Sequence, residues 1–151
     1  MKAAFTTIIA LLVFGFSATA QMAQPVQWTF EAKKLANGEH QITLIANIAD
    51  GWYVYSQDMS SKGPIPTKID FETSPNIVLE GKPQEIGSKK QMFDAAVNMD
   101  VIKLEGKMQF VQRVKILGEA SSVRGNLMYM TCNVEMCMPP QDIKFNVPLT
   151  K

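Results

Sequence analysis

The feature that most constrains the fold is a two-residue period in the apolar positions from Gln21 onward. Val26, Trp28 and Phe30 alternate with polar residues, as side chains do on a half-buried strand. The runs are short and are broken by Gly, Pro, Asn and Asp, and no helical segments alternate with them. The sequence therefore predicts an all-β chain, folded as an immunoglobulin-like antiparallel β-sandwich.

Eight or nine strands are predicted, with two irregular places between them. Glu105-Gly106 is predicted to be a turn. Residues 90–99 are predicted to be a loop, because their helical spacing of Met and Ala is opposed by Asn98 and Asp100, which are poor helix formers. The predicted strands are Val26–Phe30, Ile42–Asn47, Trp52–Tyr55, Ile69–Phe71, Ile77–Leu79, Val101–Leu104, Met108–Leu117, Leu127–Thr131 and Ile143–Val147.

Charge and metal-ligating residues exclude several classes of function. Fifteen Lys and Arg face fourteen Asp and Glu, for a net charge of +1, so the chain lacks the basic surface that nucleic-acid binding requires. One histidine, His40, and two cysteines are too few for a multi-histidine metal site or a four-thiolate zinc site. His40 itself is predicted to be a solvated strand residue.

Residues 1–20 have the pattern of a secretory signal peptide. Lys2 precedes an apolar run of about ten to twelve residues, short of the roughly 20 that span a bilayer. Ala18 and Ala20 are the small residues that a signal peptidase reads, which predicts cleavage near Ala20. We therefore expect one exported or periplasmic domain, residues 21–151, with no membrane attachment after cleavage. Outside the cytoplasm a thiol pair persists as a disulfide.

Both cysteines lie in one short segment, with four residues between Cys132 and Cys137. A disulfide across so small a loop stabilises the fold by only about 2 kcal/mol, so it is a weak brace. Pro139 and Pro140 stop the strand and stiffen the chain just after it. Spacing alone leaves two interpretations open: a structural disulfide that closes a hairpin, or a reversible redox pair.

Methionines around the cysteines suggest a further alternative. A reduced Cys132 and Cys137, with Met136 or Met138, offers the soft sulfur ligands that select Cu(I). Methionine is also a common filler of apolar cores, and no ligand spacing here is diagnostic of copper. The copper site therefore belongs to a second hypothesis, in which the chain is a non-enzymatic binding module with a structural disulfide.

Three segments together resemble the periplasmic amino-terminal domain of the transmembrane thiol reductase DsbD. They are Gly51-Trp52-Tyr53-Val54-Tyr55, Met92-Phe93-Asp94 and the run Tyr-x-x-Cys…Cys-x-Pro-Pro that ends at Pro140. The resemblance covers nearly all of the chain after the signal peptide. It implies an immunoglobulin-like sandwich without a cofactor. It also implies that the domain shuttles reducing equivalents from a membrane reductase or thioredoxin-like donor to oxidised periplasmic proteins.

The resemblance also implies roles for particular residues. Cys137 corresponds to the cysteine that forms mixed disulfides with partners, and Cys132 to the one that resolves them. Phe93 corresponds to a cap over the disulfide. The surrounding wall is then formed by Tyr53, Tyr55, Pro139 and Pro140. Where family members carry acidic residues before the cap, this chain has Ser-Lys-Lys-Gln at residues 88–91, so an acid that handles protons there is missing or has moved.

Overall fold

The computed structural model describes residues 24–59, 62–95 and 97–149. The predicted signal peptide, residues 1–20, lies outside this range. Within these residues every regular element is a β-strand. This part of the chain contains no helix that is long and apolar enough to cross a bilayer. The strands are β1 (Val26–Lys34), β2 (Glu39–Ile48), β3 (Tyr53–Tyr55), β4 (Lys68–Phe71), β5 (Ile77–Asp94), β6 (Met99–Ile116), β7 (Ser122–Tyr129), β8 (Thr131–Cys132) and β9 (Gln141–Pro148).

The strands form two antiparallel sheets. One sheet has the order β1-β2-β6-β3-β8, and β5 pairs with the other side of β6; the second sheet has the order β4-β7-β9. Buried side chains of both sheets form one core, which includes Leu44 and Phe110 from the first sheet and Leu127 and Phe145 from the second. The prediction of an all-β, immunoglobulin-like sandwich is confirmed.

The two-residue period fixes which side of each strand enters this core. In β1, Val26, Trp28 and Phe30 are buried or half-buried, whereas Gln27 and Thr29 are exposed. The central strand β2 lies between β1 and β6 and is buried along nearly its whole length. His40 belongs to this strand and is buried, so the prediction of a solvated histidine is wrong. Its position in the middle of a sheet, and not its polarity, determines its burial.

The prediction of a turn at Glu105-Gly106 is also wrong, because β6 runs through this point without a break. Gly106 has φ of +66°, a left-handed conformation that suits glycine. On the partner strand the register shifts between Ile86 and Ser88, which marks a β-bulge. The glycine therefore bends a continuous strand and does not end it.

The prediction of a loop over residues 90–99 is wrong for most of that segment. β5 extends to Asp94 and β6 begins at Met99, and their ends pair with each other. Only residues 95–98 lie between the strands, and Asn98 adopts φ of +51°, which asparagine tolerates better than most residues. The cap segment of the sequence analysis therefore lies at the end of a long hairpin.

The chain changes sheets at Met130. β7 ends at Tyr129 in the smaller sheet, and β8 begins at Thr131 in the larger one. The sequence predicted a single strand through this point. Because of the change, Cys132 pairs with β3 and lies directly opposite Tyr53.

Candidate functional site

The two cysteines face each other across the arms of a tight hairpin. Two backbone hydrogen bonds flank the cysteine pair. The N–H of Asn133 donates to the carbonyl of Met136 at 2.9 Å, and the N–H of Met138 donates to the carbonyl of Thr131 at 2.9 Å. Cys132 and Cys137 are therefore a non-hydrogen-bonded pair, the position at which antiparallel strands come closest. Their Cα atoms are 4.0 Å apart, and a disulfide joins their sulfurs.

The turn between the cysteines is held by the side chain of Asn133. Its Oδ1 accepts a hydrogen bond from the N–H of Glu135 at 2.9 Å and another from the N–H of Met136 at 2.8 Å. Val134, at the tip, is exposed. The hairpin therefore has polar contacts that do not depend on the disulfide, and these favour keeping the sulfurs close after reduction.

The segment after Cys137 leaves the sheet through two exposed prolines. Pro139 and Pro140 have no backbone N–H to donate to a neighbouring strand, and β9 begins immediately after them at Gln141. The side chain of Gln141 donates a hydrogen bond to the carbonyl of Pro139 at 3.1 Å. The prolines thus separate the disulfide hairpin from the sandwich strand that follows.

The two sulfur-bearing residues differ in burial. Cys132 is fully buried in a small apolar cluster with Tyr55 and Val101. Cys137 is exposed, because within residues 24–59, 62–95 and 97–149 its arm of the hairpin pairs only with the arm that carries Cys132. Of the two disulfide-bonded residues, Cys137 is therefore the one that faces solvent.

The predicted tyrosine wall lies beside Cys132. Tyr53 is the strand partner of Cys132, and its carbonyl accepts a hydrogen bond from the Thr131 hydroxyl at 3.1 Å. The rings of Tyr53 and Tyr55 meet edge to face with centroids 5.5 Å apart. Both tyrosines of the sequence motif therefore lie next to the disulfide hairpin.

An ion pair missed by the sequence analysis lies over this wall. Lys103 places Nζ 4.1 Å from the centre of the Tyr53 ring and 2.9 Å from Oδ2 of Asp94. The two charged side chains are only 12% and 13% exposed. Asp94 directly follows Phe93, the predicted cap, in the sequence. Only the strand pairing of β5 with β6 brings the two charges together.

The ion pair and the burial of the site shift two ionisation equilibria. Burial alone lowers the pKa of Lys103, but hydrogen bonds to Asp94 and Tyr53 outweigh it and raise the pKa. The pKa of Tyr55 is raised by burial, by its hydrogen bond with Tyr53 and by the negative charge of Asp94. Both side chains therefore hold their protons more firmly in the folded protein than in an unfolded chain.

Three methionines complete the apolar surroundings of Cys132; Met130 is one of the methionines that flank the cysteines in the sequence, whereas no sequence pattern linked Met59 or Met99 to the site. Met59, Met99 and Met130 pack against the cluster of Cys132, Tyr55 and Val101. Met59 and Met99 are distant from Cys132 in the sequence, so no local pattern signals that they lie beside it. Their flexible thioethers fill the irregular space around a buried sulfur.

Comparison with known families identifies the domain. Residues 19–149 match the family described as thiol:disulfide interchange protein DsbD, N-terminal. The chain belongs to this family. As a member of the DsbD N-terminal family with a Cys132–Cys137 disulfide, it is a thiol-disulfide interchange domain. A search of curated protein sequences gave no match.

Solved structures share the fold. The N-terminal periplasmic domain of ScsB from Proteus mirabilis matches with a TM-score of 0.56 and 20% identity over 82% of this chain and 45% of that one, so the chain spans less than half of that structure. The reduced DsbD N-terminal domain of Neisseria meningitidis matches with a TM-score of 0.53 and 20% identity over 80% and 84%. The same domain in complex with the PilB N-terminal domain matches with a TM-score of 0.50 and 16% identity over 79% and 80%.

Phe93, the cap residue implied by resemblance to the DsbD N-terminal family, lies at the end of β5. Its side chain is 58% exposed and is not among those packed against the Cys132 cluster. Its neighbour Met92 lines an open cavity of about 630 Å³, together with Tyr53, Lys103 and Val134. Because side chains alternate along a strand, Phe93 and Met92 face opposite sides of β5.

The copper alternative involves residues on the same hairpin. Met136 is exposed in the turn, and Met138 is half-buried just beyond Cys137. Both cysteine sulfurs are joined to each other, so neither is a thiolate in this state. Among residues 24–59, 62–95 and 97–149, no three His, Cys, Asp or Glu side chains are grouped to hold a metal ion.

Proposed function

We propose that this protein is a periplasmic domain, residues 21–151 after signal cleavage near Ala20, that carries reducing equivalents through the Cys132–Cys137 disulfide. The donor is a membrane reductase or a thioredoxin-like protein, and the acceptors are oxidised periplasmic proteins. The single observation that carries the proposal is the unequal burial of the two cysteines in a surface hairpin. A brace has no need of such a difference, whereas directed exchange does.

In the loading half of the cycle, a donor thiolate attacks Sγ of Cys137. The Cys132–Cys137 bond breaks, Cys132 leaves as a thiolate and takes up a proton, and a mixed disulfide joins the donor to Cys137. The second donor thiolate then attacks the donor sulfur of that bond and releases Cys137. Two electrons have passed to the domain, and the donor has become a disulfide.

In the unloading half, Cys137 attacks an oxidised acceptor and forms a second mixed disulfide. Cys132, which loses its proton, attacks Sγ of Cys137, restores the original disulfide and releases the acceptor as a dithiol. Cys132 is already placed opposite Cys137 by the hairpin, so ring closure needs little reorganisation. The role of Cys132 is therefore resolution, and that of Cys137 is contact with partners.

The surrounding residues have supporting roles in the proposal. Tyr53 and Tyr55 wall the buried side of the disulfide, and Pro139 and Pro140 hold the outer arm away from the sandwich. Phe93 is proposed to cap the disulfide until a partner docks, in keeping with its place at the end of the β5–β6 hairpin. The N. meningitidis complex with a PilB domain supports thiol-disulfide proteins as the class of partner.

The test is trapping of the mixed disulfide. With Cys132→Ala, Cys137 still attacks an acceptor but nothing releases it, so adducts that dissociate with dithiothreitol are expected on non-reducing gels of periplasmic extracts. Cys137→Ala is the matched control and is expected to form none. If neither variant forms an adduct with a thiol-disulfide protein, the disulfide is a brace and the binding-module hypothesis is favoured.

A further inference from the structure

Glu85 is a buried carboxylate on an otherwise exposed strand. Most of β5 is open to solvent, yet the Glu85 side chain is only 2% exposed. Its oxygens accept hydrogen bonds from the Ser56 hydroxyl at 2.8 Å and from the Gln57 N–H at 2.7 Å, and Lys89 forms an ion pair with it. Burial of a carboxylate is unfavourable unless such partners compensate. These contacts fix the backbone immediately after the tyrosine wall.

Further contacts attach the same short segment to β5. The side chain of Gln57 donates a hydrogen bond to the carbonyl of Pro83 at 3.2 Å, and Asp58 forms an ion pair with Lys82. Gln57 and Asp58 are thus held against the strand that carries Glu85. Among the side chains that join this segment to β5, that of Glu85 is the buried one, so water competes least for its hydrogen bonds.

The next residue, Met59, reaches the site. Its Sδ accepts a hydrogen bond from the N–H of Ile102 at 3.1 Å, and its side chain packs against the cluster that contains Cys132. The N–H of Ser56 donates to the carbonyl of Ile102 at 3.0 Å. The segment is therefore attached to β6 at both of its ends and to β5 in between.

We propose that Glu85 is a positioning residue, which clamps Ser56–Met59 so that Met59 closes the apolar wall around Cys132 and confines exchange to Cys137. This inference rests on the proposed function and extends it. During a mixed disulfide on Cys137, Cys132 is a free thiol that must react with nothing but Cys137. An apolar enclosure excludes competing thiols and disfavours the thiolate until ring closure.

The experiment measures access to Cys132 directly. In a Cys137→Ser background, Cys132 is the only thiol, and its alkylation by iodoacetamide is followed by mass spectrometry across a series of pH values. Glu85→Ala and Met59→Ala are each expected to accelerate alkylation on the order of tenfold, because charge-assisted bonds that hold the segment closed, or the wall itself, are lost. Glu85→Gln is expected to lie between, because its amide oxygen still accepts from the Gln57 N–H.

Three controls separate positioning from general loosening of the fold. Asp70→Ala removes a carboxylate from an exposed ion pair with Lys68 in the other sheet and is expected to leave the rate unchanged. In a Cys132→Ser background, Glu85→Ala is expected to leave alkylation of the exposed Cys137 unchanged. If Glu85→Ala does not fold, Ser56→Ala decides the matter; it removes one bond to the carboxylate and the bond that the Ser56 hydroxyl accepts from the Asp58 N–H.

Equal alkylation of Cys132 in the parent and in folded Glu85, Ser56 and Met59 variants would overturn the proposal. The assay contains no partner protein, so its result is independent of the trapping test. If Cys132→Ala traps no partner but the Glu85 variant still accelerates alkylation of Cys132, the proposed electron transfer is rejected and the proposed role of Glu85 is supported. If Cys132→Ala traps a partner but the Glu85 variant leaves the alkylation rate of Cys132 unchanged, the proposed electron transfer is supported and the proposed role of Glu85 is rejected.

Discussion

Cys132 and Cys137 lie opposite each other with Cα atoms 4.0 Å apart, yet the first is fully buried and the second is exposed. The difference arises from the sheet. Cys132 ends a strand that pairs with β3, whereas Cys137 lies on the returning arm, which is hydrogen-bonded to Thr131 and Asn133 of its own hairpin. One disulfide thus joins a buried residue to an exposed one.

Reduction of the disulfide is expected to leave the domain folded and to lower the free energy of unfolding by only about 2 kcal/mol, because the closed loop is short. Urea unfolding of the oxidised and reduced protein, followed by tryptophan fluorescence, measures this difference. The Cys132→Ala, Cys137→Ala double variant is the control and should match the reduced protein. Unfolding on reduction alone would identify the disulfide as a necessary brace.

Asn133→Ala is expected to make the disulfide easier to reduce. Its Oδ1 accepts two backbone hydrogen bonds that keep the turn closed when the sulfurs are not joined. If the two lost hydrogen bonds lower the free energy that holds the turn closed by about 1–2 kcal/mol, the reduction potential of the disulfide becomes less negative by at most about 40 mV. Equilibration with glutathione buffers measures the shift. Val134→Ala changes an exposed side chain in the same turn and should leave the potential unchanged; a shared shift would argue against the role of Asn133.

Stability is expected to fall at alkaline pH. Lys103 and Tyr55 both have a folded-state pKa above the ordinary value. Their contribution is fully present below the unfolded pKa values of about 10 to 10.4, and it is lost as pH rises through the folded values. Urea unfolding between neutral pH and pH 11 tests this. Lys103→Met should flatten the decline, while Lys68→Met, from an exposed ion pair, should not.

Phe93→Ala is expected to speed reduction of the disulfide by dithiothreitol severalfold, because the proposed cap shields the sulfurs from small thiols. Leu79→Ala is the matched control, since its side chain is also apolar, is 41% exposed and lies on the same strand, but pairs with Val114 at the end of β5 away from the disulfide hairpin. Stopped-flow fluorescence of the two variants measures the rates. Unchanged kinetics in Phe93→Ala would remove this ring from the site.

The parts of the fold that are governed by local pattern could be predicted from the sequence. Alternation located the strands, and the spacing of Cys132 and Cys137 before two prolines located the hairpin. The prediction of a turn at Gly106 was wrong because glycine occurs in both turns and β-bulges, and only the pairing with the partner strand distinguishes them. The change of sheet at Met130 likewise has no local signal, since both sides of it are strand.

The surroundings of the disulfide were harder to predict, because they are assembled from distant segments. Lys103 meets Asp94 only through the pairing of β5 with β6, and Met59 reaches Cys132 only after Glu85 fixes the preceding residues. Such contacts depend on the register of long strands. The identity of the cysteines was therefore predictable, but the enclosure of Cys132 was not.

The crossing from one sheet to the other at Met130 has a consequence for the newly made protein. Cys132 becomes enclosed only when β8 adds to the larger sheet, because the residues packed around it come from β3, β6 and the segments beside them. Before that moment the two thiols are chemically alike. Discrimination between them is a property that the chain acquires on completing its tertiary structure.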